Sequence, residues 1–214
     1  MTSSASSLAR TERAALCELF DRLGPDAPTL CAGWTTRDLA AHLVVRQSRP
    51  DAALGLVLAP LAAWTRKVQA RAGAAEWSEL VRQVRQGPPA WSPTRISSVD
   101  ALVNDLEFFV HHEDVRRAQE DWQPRELPLA TDEALWALVR GRARLHMRRA
   151  PVGVRMQLPD GRSFVAKDAV PSVTVSGTPA ELVLLMHGRG DHAVLECAGP
   201  DTAVQSLRDA SFAV

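Results

Sequence analysis

The stretch from Glu107 to Asp114, EFFVHHED, gathers more chemically capable side chains than any other part of the 214 residues. On a helix turning about 100° per residue, Glu107, His111 and Asp114 (i, i+4 and i+7) project from one side. A carboxylate and an imidazole one turn apart can converge on one cation, and divalent zinc accepts that mixed N/O set. His112 and Glu113 point away from this side and read as non-ligands. Two ligands do not make a site, but His42 follows Leu39 at i+3 on the inward stripe of an earlier helix. In helical bundles, facing helices supply inward-pointing ligands in this way.

Plainer readings exist for the same residues. A Glu and a His four apart are commonly a surface pair worth about 0.2–0.5 kcal/mol. A single histidine on an amphipathic helix is more often a core or boundary residue. Spacing alone therefore leaves the metal site open and favours no particular metal.

Other candidates divide similarly. Asp114 either accepts a hydrogen bond from a ligand histidine, fixing its tautomer, or pairs on the helix surface with Arg117 or Arg37. Arg46, one turn after His42, and Arg189, in HGRG, each carry a fork suited to a substrate carboxylate, with a structural ion pair as the alternative. Arg140, Arg144 and Arg148 read as a solvated helix face. Trp34 reads as a hydrophobic anchor for its loop, or as part of a cavity wall. Cys31 has no basic neighbour at fixed spacing and reads as a small buried residue. No Gly-rich phosphate loop, GxSxG elbow or HExxH motif occurs, which argues against nucleotide, serine-hydrolase and zincin chemistry.

These side chains need helices to hold them. Leu16, Leu19, Phe20 and Leu23 make one apolar stripe, stopped by Gly24-Pro25. Thr35 and Asp38 form a capping signature that opens the helix bearing His42. Residues 52 to 73 read as helical with a break at Pro60. Trp77, Leu80, Val81 and Val84 form another stripe, closed by Gly87-Pro88-Pro89. Ser97 and Asp100 cap a helix running to about Glu120, and a further helix begins near Thr131 and ends at Pro151.

After Pro151 the apolar period changes from helical to alternating, with Val152, Val154, Met156 and Leu158. A turn at Pro159-Asp160-Gly161 precedes Ser163 to Ala166, and Val170 to Val175 is a third strand. Pro179 to His187 reads as helix, His192 to Cys197 as strand, and Pro200 to Arg208 as a last helix. The expected organisation is a helical bundle over 1–150 and a small α+β domain over 151–214, mostly α overall.

Composition narrows the function class. Twenty-five basic and 25 acidic residues give a formal net charge of zero. A nucleic-acid binder needs a surplus of cations, so none is expected as partner. The longest apolar stretch, Ala52 to Trp64, contains Pro60 and is too short to span a bilayer. The N-terminus has no apolar core followed by a cleavage site. Three widely spaced cysteines fit a reducing compartment, so a cytoplasmic protein without membrane partners is expected.

The runs LCAGWTTRDLAAHLVVR around His42 and EFFVHHEDVRRA around His111 resemble the DinB-like, mycothiol-dependent maleylpyruvate isomerase superfamily of actinobacteria. The likeness is greatest to a branch of metal-binding proteins without an assigned reaction. GTPAELVLLMHGRG resembles that superfamily's small second domain. The resemblance implies a DinB-like four-helix bundle whose divalent metal, zinc or else nickel, is held by His42, Glu107 and His111. It also implies open coordination places for a low-molecular-weight thiol such as mycothiol, with a small-molecule substrate. It places the Gly-Arg element of Arg189 near the cleft between domains. A thiolate that adds to an alkene, allows rotation and leaves performs isomerisation; one that attacks an epoxide or alkyl halide performs S-transfer. The alternative is a non-catalytic metal- or ligand-binding module on the same bundle, and a fourth protein ligand would favour it.

Overall fold

The computed structural model describes residues 5–49, 62–89 and 97–210. The expected helix over 52–61 and the side chains of the Ser97/Asp100 cap lie outside the described residues. The chain divides into two compact units, residues 1–123 and 124–214.

The first unit contains helices α1 (Ala5–Leu23), α2 (Thr36–Ser48), α3 (Ala62–Gly73), α4 (Trp77–Gln86) and α5 (Ser97–Arg116). Leu16, Leu19 and Phe20 of α1 pack with Leu39 and Leu43 of α2, Leu80, Val81 and Val84 of α4, and Phe108 and Val115 of α5. Burying such side chains contributes about 1.5–3 kcal/mol each, which holds the helices in register. The capping box is formed in full: Thr35 and Asp38 satisfy each other's backbone donors at the start of α2. Helix α2 is buried on nearly every side, from Leu39 to Val45, rather than along a single stripe. His42 is therefore interior.

Helix α5 ends at Arg116, earlier than the apolar pattern suggests, and Arg117 to Asp121 form turns. It too is buried nearly all round over its last turns, and carries polar groups inward. Each therefore needs a partner. His112 Nδ1 lies 2.7 Å from Glu12 Oε2 on α1. Glu113 accepts hydrogen bonds from Arg116 at 3.0 Å and Arg117 at 2.6 Å. The remaining inward groups, Glu107, His111 and Asp114, turn to one another.

The second unit begins before the expected boundary at residue 151. Helix α6 (Leu129–His146) belongs to it, together with β1 (Gly153–Gln157), β2 (Ser163–Lys167), β3 (Ser172–Ser176), α7 (Pro179–Met186), β4 (Glu196–Ala198) and α8 (Asp201–Arg208). The physical reason is packing. Helix α6 buries Leu135, Trp136, Val139 and Ala143, and the Trp136 ring sits 5.3 Å from that of Phe164 on β2. His146 Nδ1 also lies 3.0 Å from the Met186 carbonyl oxygen on α7. The period change near Pro151 marks the step from helix to strand, whereas the compact units part at Gln123/Pro124.

The sheet order is β2-β1-β3-β4, with β1 and β3 parallel and the other pairs antiparallel. Residues 192–195 are not strand as expected. Gly190–His192 form a 3₁₀ turn, and the Val194 amide donates to Glu181 Oε2 at 2.8 Å instead of to a neighbouring strand. Arg140, Arg144 and Arg148 are exposed, as a solvated face requires.

Candidate metal centre

His42 Nε2 lies 3.3 Å from Glu107 Oε1, and His111 Nε2 lies 3.1 Å from the same oxygen. The three donor atoms fall within 4.8 Å of one another. Burial of α2 and the i, i+4 step on α5 produce this convergence: each imidazole points inward, and Glu107 stands between them. Among the described residues, no fourth His, Cys, Asp or Glu joins the three. Two imidazoles and one carboxylate suit a borderline divalent ion and leave places for exogenous ligands. The donor set therefore fits the divalent metal that the sequence resemblance implies.

Each histidine is also held at its other nitrogen. His111 Nδ1 lies 2.9 Å from Oδ2 of Asp114, which is wholly buried. On His42, the Gln69 amide reaches Nδ1 at 3.0 Å. With its NH₂ toward the ring, Gln69 makes Nδ1 an acceptor and leaves Nε2–H to donate to Glu107. With the amide turned over, its oxygen receives Nδ1–H and the Nε2 lone pair faces the centre.

Protonation is split between the two imidazoles. Burial opposes charge on His111, but hydrogen bonds to Asp114 and Glu107 outweigh it and hold its pKa well above the ordinary value. Burial lowers the pKa of His42, only partly offset by its hydrogen bond to Glu107. Burial would raise Glu107, but the hydrogen bonds from His111 and His42 prevail and keep it well below the usual carboxylate range. The ion-free cluster thus favours the charged forms of His111 and Glu107 and the neutral form of His42.

Three further contacts were not readable from spacing. Cys31 is no simple buried residue: its thiol donates to Asp114 Oδ2 at 3.2 Å and lies 3.9 Å from His111 Nδ1. The loop before α2 carries it there, tethered to α5 by the Leu30 amide donating to the Asp114 carbonyl at 3.0 Å. Arg46 Nε stands 3.3 Å from Glu107 Oε1. Gln69 gave no signal at all, since an amide on a separate helix has no fixed offset from a histidine. Trp34 packs against the core, as the anchor reading has it, and lies 5.1 Å, ring to ring, from His42. His112 and Glu113 turn to Glu12 and to Arg116 and Arg117 instead. Arg189 is in the second unit, half-buried, with its guanidinium donating to the His187 carbonyl.

Among the described residues, no helix is long and apolar enough to cross a membrane. No protein-family model matches the sequence, and no curated protein matches it either. Two solved structures do. The crystal structure of the mycothiol-dependent maleylpyruvate isomerase superposes with a TM-score of 0.64 at 16% identity, covering 92% of this chain and 93% of that one. A histidine-to-alanine mutant of that isomerase gives a TM-score of 0.63 at 15% identity over the same shares. The chain therefore has the DinB-like maleylpyruvate isomerase fold that its motifs around His42 and His111 resemble: helices first, then a small four-stranded α+β unit.

Proposed function

We propose that this protein binds one divalent ion through His42, Glu107 and His111 and uses it in the cytoplasm to work on a low-molecular-weight thiol, as an isomerase or S-transferase of a small molecule. The observation that carries the reading is the convergence of two imidazole nitrogens and one carboxylate oxygen, from two buried helices, within 4.8 Å. Zinc suits such an N/O set, with nickel as the alternative. A thiol of the mycothiol type is supported by both solved neighbours being described as mycothiol-dependent. When bound, a divalent ion supplies a lowered pKa to a coordinated thiol or water at neutral pH.

The chain's own residues do the rest. Asp114 holds the tautomer and ring angle of His111, and Gln69 does so for His42. Trp34 packs beside His42 and keeps apolar surface around the donors. Arg189 is the residue proposed to orient a substrate carboxylate. Replacing it by lysine keeps the charge but loses the bidentate fork, so turnover should fall while metal content stays intact.

Elemental analysis of purified protein should find one divalent ion per chain, and His111→Ala should lose it. The cobalt-substituted protein, titrated with mycothiol or a simpler thiol, should develop a thiolate-to-cobalt charge-transfer band. A metal-loaded protein without that band at saturating thiol would favour the non-catalytic metal-binding module instead.

A further inference from the structure

We infer that Cys31, Asp114 and the Nδ1 side of His111 form a second metal centre, selective for a thiophilic divalent ion of the cadmium type. It shares His111 with the His42–Glu107–His111 centre proposed above but does not need that centre to be filled. The three donor atoms come from the loop before α2 and from α5, and all lie within 4.8 Å of one another. Cys31 Sγ is 3.2 Å from Asp114 Oδ2 and 3.9 Å from His111 Nδ1, and those two atoms are 2.9 Å apart. Sulfur, nitrogen and oxygen donors at ordinary bond lengths around a tetrahedral ion of zinc's size stand about 3.4–3.6 Å from one another. Side-chain shifts of about half an ångström therefore close the set on an ion. The loop holds the thiol in place for this. The Leu30 amide donates to the Asp114 carbonyl at 3.0 Å, the Cys31 amide to Thr29 Oγ1 at 3.2 Å, and the Trp34 amide to the Cys31 carbonyl at 2.9 Å.

Tautomerism makes the two centres alternatives. A neutral imidazole has one N–H and one lone pair. With an ion on Nε2, as in the first centre, Nδ1–H donates to Asp114. With an ion on Nδ1, Nε2–H donates to Glu107 Oε1, 3.1 Å away. Each carboxylate is thus a ligand on its own side of the ring and an orienting acceptor for the other side. Donor softness decides between them: two imidazoles and a carboxylate suit nickel or zinc, whereas a thiolate draws softer ions. A thiolate and a carboxylate also match the two charges of the ion, as a place where Asp114 has no solvent exposure requires. If Cys31 served only to brace Asp114 by its hydrogen bond, serine would make the same bond and leave the choice of ion unchanged.

The test uses the full chain, freed of metal and without added thiol, as wild type, C31S, H42A and C197S. Each is titrated with cadmium and, separately, with nickel. The first centre has no sulfur donor, so thiolate-to-cadmium absorption in the ultraviolet reports the second alone. Wild type, H42A and C197S should develop that band, and C31S should lack it. C31S should lose cadmium affinity by more than the roughly hundredfold that an outer partner can cost, and nickel affinity by no more than about tenfold. No band in wild type, an undiminished band in C31S, or equal weakening of both metals in C31S would overturn the inference. Loss of the band from an H42A chain that circular dichroism shows to be folded would overturn it too, since Cys31 would then be joining the first centre. Nickel uptake unchanged in H42A, with the cadmium band present, overturns the His42–Glu107–His111 reading and supports this one.

Discussion

Oδ2 of Asp114 lies 2.9 Å from Nδ1 of His111, in a position with no solvent exposure, one turn along the same helix. The carboxylate fixes which nitrogen of the ring faces Glu107 and His42. It also makes the imidazole a stronger base and so a better ligand. The Cys31 thiol donates to the same oxygen, which leaves the carboxylate little freedom to turn away.

Asp114→Asn keeps the shape and removes the charge. It should weaken metal affinity about 10- to 100-fold while leaving a saturable site, as outer partners of metal-bound histidines generally do. Competition with a chromophoric chelator measures this, and unchanged affinity would show that Asp114 is structural only.

Metal uptake should release protons. His111 is held well above its ordinary pKa in the ion-free protein, so an ion must displace its proton, whereas Glu107 is already ionised. Calorimetry in buffers of different ionisation enthalpy should show about one proton released per ion near neutral pH, with affinity falling as pH falls. The ion-free protein should show the opposite trend in stability. A raised histidine contributes fully below its ordinary pKa of about 6.5 and loses that contribution as pH rises through the folded value.

Cys17 gives an alkaline signature in the first unit. Burial, opposed in part by Arg85, pushes its thiol from 9.0 up to about 11. Below pH 9 both folded and unfolded thiols are neutral and the contribution is complete. Between pH 9 and 11 only the unfolded thiol ionises, so stability should fall by about 2–3 kcal/mol over that window. Urea melts of wild type and Cys17→Ala check it: the variant should lack this part of the slope.

The second unit should depend on α6. Trp136 is 4% exposed and packs on Phe164, so Trp136→Ala should cost about 3–5 kcal/mol. A fragment of residues 124–214 should unfold cooperatively, and one of residues 151–214 should not. It would expose the surface that Leu135, Trp136, Val139 and Ala143 cover. Circular dichroism melts of the two fragments decide this.

Much of the fold was legible in the sequence because its signals are local. The apolar stripe Leu16-Leu19-Phe20-Leu23, the Thr35/Asp38 capping box and the alternation after Pro151 each lie within one element, and each forms as read. The i, i+4, i+7 set Glu107, His111 and Asp114 was legible for the same reason, since helix geometry alone puts those side chains on one side. What only the tertiary structure decided involves residues far apart in the chain. His42 meets Glu107 across 65 positions, Cys31 meets Asp114 across 83, and Gln69 meets His42 from a separate helix. The unit boundary at Gln123/Pro124 is of this kind too. An α-helical period says that α6 has an apolar face, but not which partner covers it. That choice belongs to the packing of Trp136 against Phe164, on a strand that forms from residues downstream.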